Sequence, residues 1–216
     1  MVNYPNGHKS NSIQKVNNTS GRGMELEKEI NATNNFYLDV DKAVIYKKPT
    51  PVTIVKVDYP ARNAAKITEA YFKLPSTTDY NGIYKGKYID FEAKECQSLT
   101  SFPLKSIHEH QIKHLENVCR HGAIAFVIIR FIKYNETYYV DAVTLINYIK
   151  ICTRSSVPYK WFQENGYLIP FHYNKPVDYL EVVDSLFFKE WYIWQEIVMK
   201  KWFITKIQTR KEKKEK

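Results

Sequence analysis

Cysteine is sparse and unpatterned in this chain. Cys96, Cys119 and Cys152 are its 3 cysteines in 216 residues, and none makes a CxxC pair. That argues against a metal knuckle or a dithiol redox centre; the three read as buried free thiols in a reducing cytosol. No apolar run is long enough to span a bilayer as a helix. The N-terminal "MVNYPNGHKSNS" lacks the apolar centre of a signal peptide. Together these set the expectation of a cytoplasmic protein with no membrane partner. No internal repeat is visible. Acids are in short supply: 23 Asp and Glu face 32 Lys and Arg, a net charge of +9. An excess of this size suits a polyanion, nucleic acid first and anionic membrane second, although a solvated basic surface gives the same count.

What is present is a globular chain, with 44% hydrophobic residues, long enough for one α/β domain with a sizeable core. Residues 1–22 are rich in Asn, Ser, Lys and Gly and read as a flexible basic arm. "MELEKEINATNNFYL" carries acids in its first turn and predicts a helix. "KAVIYKK" predicts a strand ended by Pro49. The stretch 51–75 is bounded by prolines. It contains the strand-like "VTIVKVDYP" and fits either a projecting insertion or part of the main sheet. "NGIY" and "KYIDFEAKE" predict a hairpin through Lys85-Gly86-Lys87, with Asn81-Gly82 as a turn signal before it. "SFPLK" reads as a loop. Ser106-x-x-Glu109 reads as a capping box for the helix "IHEHQIKHLENVCRHG", which Gly122 ends. "AIAFVIIRF" is a strand covered on both faces, "TYYVDA" its antiparallel neighbour, and "VTLINYIKI" a short helix. After Val157 the aromatic, proline-punctuated text resists parsing until the helical "VDYLEVVDSLFF".

Alternation in "YIDFEAK" puts Ile89, Phe91 and Ala93 on one face and Tyr88, Asp90, Glu92 and Lys94 on the other. Glu-x-Lys on a strand is usually a solvated surface. Pairing of the hairpin strands, however, returns Asp79 towards Glu92, and two carboxylates can hold one hard cation. Gln111 interrupts the stripe Ile107, Gln111, Leu115, Val118 of the following helix. It is either an amide bonded to backbone or another oxygen aimed at the same cation. Such a set suits metal-assisted phosphodiester hydrolysis, with a lysine to orient water or stabilise charge on the phosphate. An acid, a gap and Glu-x-Lys on a strand is also the pattern of restriction-endonuclease-like nucleases, and a pattern so short recurs by chance.

The longer text is more specific. "KKPTPVTIVKVDYP", "EAYFKLPSTTDYNGIYKGKYIDFEAKE", "TSFPL" and "HEHQIKH" together resemble the RecU family of Holliday-junction resolvases, in the family's order and spacing, from Gly21 to Leu186. The resemblance implies an α/β, restriction-endonuclease-like nuclease core, a mixed central sheet flanked by helices, with a protruding stalk. It implies a cytosolic, homodimeric enzyme that cuts four-way DNA junctions symmetrically in recombination and repair. Mg²⁺ would be the cofactor, with Mn²⁺ able to substitute, and the recombinase or branch-migration machinery further partners. On matching positions, Thr77, Asp79, Glu92 and Gln111 would hold metal, with Asp79, Glu92 and Lys94 catalytic. Glu27 lies where related nucleases place an extra acid, though a solvated helix charge is the simpler reading. Segment 51–75 would be the stalk, with Arg62, Lys66 and Lys73 facing DNA. The domain would run over 23–186. The match fades beyond Leu186, which leaves 187–216 as an aromatic, basic extension of unassigned role.

Three rivals frame this reading. His110 and His114 stand at i, i+4, a zinc spacing, but a catalytic zinc site needs a third protein ligand and no Cys/His pair supplies it. The tail "KKWFITKIQTRKEKKEK" could lie on anionic lipid; a solvated charge run is the simpler reading. A non-catalytic DNA-binding or recombinase-modulating protein, or a sequence-specific endonuclease of the same fold, would share much of the pattern.

Overall fold

The computed structural model describes residues 24–61, 64–73 and 77–189. The expected N-terminal arm, Arg62 and residues 190–216 of the extension lie outside them. Helix α1 (Met24–Asp39) opens with Glu25 and Glu27 in its first turn, where carboxylates offset the positive end of the helix dipole. Strand β1 (Val44–Lys47) follows. The chain then leaves the main sheet for β2 (Val52–Asp58) and β3 (Lys66–Phe72), which pair only with each other, antiparallel from Val52↔Phe72 to Asp58↔Lys66. Nearly all of their side chains are exposed. β2 and β3 are thus no part of the six-stranded sheet.

β4 (Tyr80–Tyr84) and β5 (Lys87–Cys96) form the predicted main hairpin. Lys85 and Gly86 turn it with φ of +47° and +74°. Positive φ at both turn positions matches the twist of the flanking strands. Asn81-Gly82 is not a turn: it lies within β4. Gly82 serves close approach there, since a Cβ would meet Val44 O at 2.1 Å and Ile45 Cα at 2.5 Å.

From β5 the chain crosses through α2 (Glu109–Arg120) into β7 (Ile124–Phe131), which lies parallel to β5. Between them, "SFPLK" is not a plain loop. It holds β6 (Ser101–Pro103), paired with β9 (Ser156–Pro158), and a 3-10 turn over Leu104–Ser106. That turn occupies Ser106, so the N-cap of α2 moves to His108, and Gln111 Oε1 accepts the His108 backbone N–H at 2.9 Å. β8 (Glu136–Asp141) pairs antiparallel with β7. Asp141 then caps α3 (Ala142–Ile151), accepting from Thr144 N at 3.1 Å. α4 (Tyr159–Asn165), the edge strand β10 (Tyr167–Ile169) and α5 (Tyr179–Phe187) complete the domain.

The mixed sheet runs β1-β4-β5-β7-β8-β10. Both faces are covered, as the apolar run of β7 requires. One core packs α1 and α5 on Ile45, Phe91 and Phe126; the other packs the α2, α3 and α4 side on Val127, Ile129 and Val140. The rings of Tyr80 and Phe91 stack at 4.8 Å and those of Phe91 and Phe126 at 4.7 Å. Each pair adds about 1 kcal/mol beyond its buried area, and the row locks β4, β5 and β7 in register. This is the mixed α/β sheet flanked by helices that the sequence predicts, and no described helix is long and apolar enough to cross a membrane.

Candidate active site

Register brings the two acids together. Tyr80 sits opposite Phe91, so the next pair outward is Asp79 and Glu92. The Asp79 backbone N–H donates to Glu92 Oε2 at 3.1 Å. Lys94, two residues on and on the same face of β5, lies 3.9 Å from Asp79 Oδ2 and forms an ion pair with Glu92 Oε1. Asp79, Glu92 and Lys94 are therefore one cluster. Asp79 and Lys94 border a cavity of about 660 Å³ that Glu27, Glu95 and Ser98 also line. Glu27 pairs with Lys47 at its rim.

Glu92 is fully buried. Burial raises its pKa; the Lys94 charge pulls it back, and the Asp79 charge pushes it up again, to about 8. Its Oε1 has no well-formed hydrogen bond and is held by the ion pair with the Lys94 ammonium. A buried carboxylate oxygen held by charge alone, beside a second carboxylate, is short of positive charge.

Thr77 stands two residues before Asp79 and is half-buried. Gln111 is buried on α2. In the β5–α2–β7 crossover α2 runs back along β5, and His114 Nε2 meets Asp90 Oδ2 at 3.1 Å. The turn before it, which carries Gln111, therefore faces the Glu92 end of the strand. Among the described residues no group of three or more His, Cys, Asp or Glu could hold a metal ion. Gln111 Oε1 accepts the His108 backbone N–H at 2.9 Å, which is the backbone-bonded alternative of its two readings; that oxygen's second lone pair and the Thr77 hydroxyl are the further donors that the resemblance implies for a cation at Asp79 and Glu92. All four are hard oxygen donors and two are anionic, which fits a hard divalent cation. Among the described residues the zinc reading finds no set of ligands, since His114 is engaged by Asp90.

Lys66 and Lys73 are exposed on the β2–β3 hairpin. The Lys73 N–H donates to Pro51 O at 2.9 Å and closes the base of that hairpin.

Sequence reasoning passed over Asp90. It is fully buried two residues before Glu92. It takes hydrogen bonds from Lys48 Nζ at 2.9 Å, from the Tyr88 hydroxyl at 2.9 Å and from the Thr78 hydroxyl, besides its His114 contact. The alternation that put it on the Glu92 face was the available signal.

Comparison with known proteins agrees with the sequence reading. Residues 21–185 match the family RecU, described as Recombination protein U. A protein of Oceanobacillus iheyensis named Holliday junction resolvase RecU is 55% identical over 196 residues, 87% of this chain and 100% of the relative. One of Geobacillus kaustophilus with the same name is 52% identical over 186 residues, 84% of this chain and 93% of the relative. A solved structure of Archaeoglobus fulgidus Hjc, a Holliday junction resolvase, overlays with a TM-score of 0.38 at 10% identity, covering 68% of this chain and 95% of that one, too distant for the overlay to carry an argument. The family match and the identity with these relatives establish that the chain belongs to the RecU family of Holliday junction resolvases.

Proposed function

We propose that this protein is a Mg²⁺-dependent, structure-specific endonuclease that resolves four-way DNA junctions by paired, symmetric nicks in recombination and repair. The observation that supports it most is the buried Glu92, its Oε1 without a well-formed hydrogen bond, beside Asp79 and Lys94, which line an open cavity. Asp79, Glu92, Gln111 and Thr77 are the residues that would hold the ion. A divalent ion bound there polarises the scissile phosphate and acidifies a water.

The remaining work falls to the chain. Lys94 is already poised between both carboxylates. From that position its ammonium would turn to the phosphate. There it orients the attacking water or stabilises the charge that develops on phosphorus. The base of the site is dry and fixed, because Glu92 sits in the sheet core and Asp79 is tied to it through its backbone.

Selectivity for a junction needs an element that enters its open centre, since backbone contacts alone give affinity without it. The β2–β3 hairpin, separate from the main sheet and carrying Lys66 and Lys73, suits that role. A twofold dimer would present one site to each of the two equivalent strands. Mn²⁺ can replace Mg²⁺ as a hard, oxygen-seeking ion.

The test is a cleavage assay on a synthetic four-way junction and a linear duplex of the same sequence. The reading requires paired nicks in the junction that appear only with Mg²⁺ or Mn²⁺. Metal-dependent cutting of the duplex at a fixed site would make it a sequence-specific endonuclease instead. Tight junction binding without cutting under any metal would make it a binding protein.

A further inference from the structure

Asp79 sits outside the regular hairpin pairing, which begins at Tyr80. Its position depends on the short approach from Thr77, and that approach is held from two sides by one lysine. The Lys48 backbone N–H donates to Asp79 O at 2.7 Å. The Lys48 ammonium reaches Thr78 Oγ1 at 2.8 Å and Asp90 Oδ2 at 2.9 Å. The Thr78 hydroxyl in turn donates to Asp90 Oδ1. Both capacities of that hydroxyl are therefore used, and Thr78 is buried.

We propose that Asp90, Lys48 and Thr78 form a brace that positions Asp79 against Glu92 and thereby sets the affinity of the site for its divalent ion. The idea rests on the metal-site reading above and extends it to three residues that do not touch the ion. Asp90 is itself no candidate ligand. Its Oδ1 is taken by Thr78, and its Oδ2 by Lys48, Tyr88 and His114. A fully buried carboxylate is costly unless its charge is matched, and here the matching cation is the residue that also grips the Asp79 carbonyl. The brace thus links two neighbouring acids on one strand. Asp90 fixes the loop, the loop fixes Asp79, and the Asp79 N–H meets Glu92 Oε2. Groups that hold metal ligands in place change metal affinity about ten- to a hundred-fold when lost.

A purely structural role for the same cluster would lower stability and leave metal affinity alone, so the test reads the metal directly. Thr78→Val removes the hydroxyl at nearly constant shape; Thr78→Ser keeps it. Mn²⁺ binding to the whole protein, without DNA, is followed by the loss of the free-ion electron paramagnetic resonance signal. The half-saturating Mn²⁺ concentration should rise about ten- to a hundred-fold in Thr78→Val and stay close to wild type in Thr78→Ser. Junction cutting by Thr78→Val should be depressed at low Mg²⁺ and recover as Mg²⁺ is raised. A Thr78→Val protein with wild-type Mn²⁺ affinity overturns the brace, whatever its melting temperature. Should Thr78→Val fail to fold, Lys48→Arg carries the same test, because it keeps the charge and moves the donor off the Thr78 hydroxyl. Unchanged Mn²⁺ affinity there overturns the brace as well. Glu92→Ala marks the other failure: if it binds Mn²⁺ as the wild type does, the site assignment itself falls, and the brace with it.

Discussion

Glu92 and Asp178 are both carboxylates at 0% exposure, one on β5 and one just before α5. Asp178 is surrounded by donors. The Tyr37 hydroxyl donates to it at 2.5 Å, Lys175 hydrogen-bonds its other oxygen, and Lys42 lies 3.9 Å away. Burial opposes its charge, but the Lys175 and Tyr37 hydrogen bonds and the Lys42 charge outweigh burial and hold its carboxyl below the usual range. It ties α5 to α1, where the Val177 N–H also donates to Thr33 Oγ1 at 3.1 Å. Glu92 has one backbone N–H, one ammonium in an ion pair and another acid as its neighbours, and burial pushes it up to about 8. A fold that can satisfy Asp178 so fully could have satisfied Glu92. Leaving it short of positive charge is what the proposed cation site would require.

The largest effect expected of that difference is catalytic. Glu92→Ala and Asp79→Ala should abolish junction cutting and leave junction binding largely intact, since binding rests on Lys and Arg contacts to phosphates. Gel-shift and cleavage assays on the same junction separate the two. Cutting at the wild-type rate by either variant would show that the site lies elsewhere. Lys94→Ala should keep metal binding and lose about two to four powers of ten in rate, as expected for a group that acts on the phosphate or the attacking water. By contrast, Asp178→Asn should leave the rate of the folded enzyme unchanged.

The sequence carried this contrast unevenly. Asp79, Glu92 and Lys94 were legible because strand alternation and hairpin pairing are short-range rules. Their meeting in the structure needed nothing beyond the Tyr80↔Phe91 register. The long-range partners of Asp178 and Asp90 were not legible. Tyr37 lies 141 positions from Asp178, and Lys48 lies 42 from Asp90; no local pattern joins such pairs. β9, α4 and β10 were missed for a related reason. They span 3, 7 and 3 residues, too few for either period to show, and pairing with distant strands decides them. The α2 cap moved two residues because the 3-10 turn that claims Ser106 depends on the β6–β9 pairing.

A smaller effect tests the structural half of the comparison. Asp178→Asn removes the charge from hydrogen bonds with Lys175 and Tyr37, and should cost about 2 kcal/mol at pH 7. Because the folded carboxyl is held below its usual value, its contribution is present above the unfolded pKa and is lost as pH falls through the folded one. Urea denaturation of wild type and Asp178→Asn should therefore show a gap at pH 7 that narrows on acidification below 3.8, the carboxyl's ordinary pKa. A gap that widens in acid would mean that Asp178 is not the charged partner described here.

The last effect has the opposite sign, and it is the sharpest. Without metal, burial and the Asp79 charge raise the pKa of the folded Glu92 carboxyl well above 4.5, its ordinary value in an unfolded chain, and outweigh the Lys94 charge. Between those values the unfolded state binds fewer protons than the folded one, so Glu92 lowers stability as pH rises through that window. Glu92→Gln cannot ionise and escapes the loss. With a chelator present, its melting temperature should match wild type near pH 5 and exceed it near pH 8. Saturating Mg²⁺ should then raise wild type and leave Glu92→Gln nearly unmoved, because the ion stabilises only a fold that binds it. A Glu92→Gln protein less stable than wild type at pH 8 without metal would mean that Glu92 is satisfied as Asp178 is. It would then serve to hold the sheet together, and the contrast between the two acids would disappear.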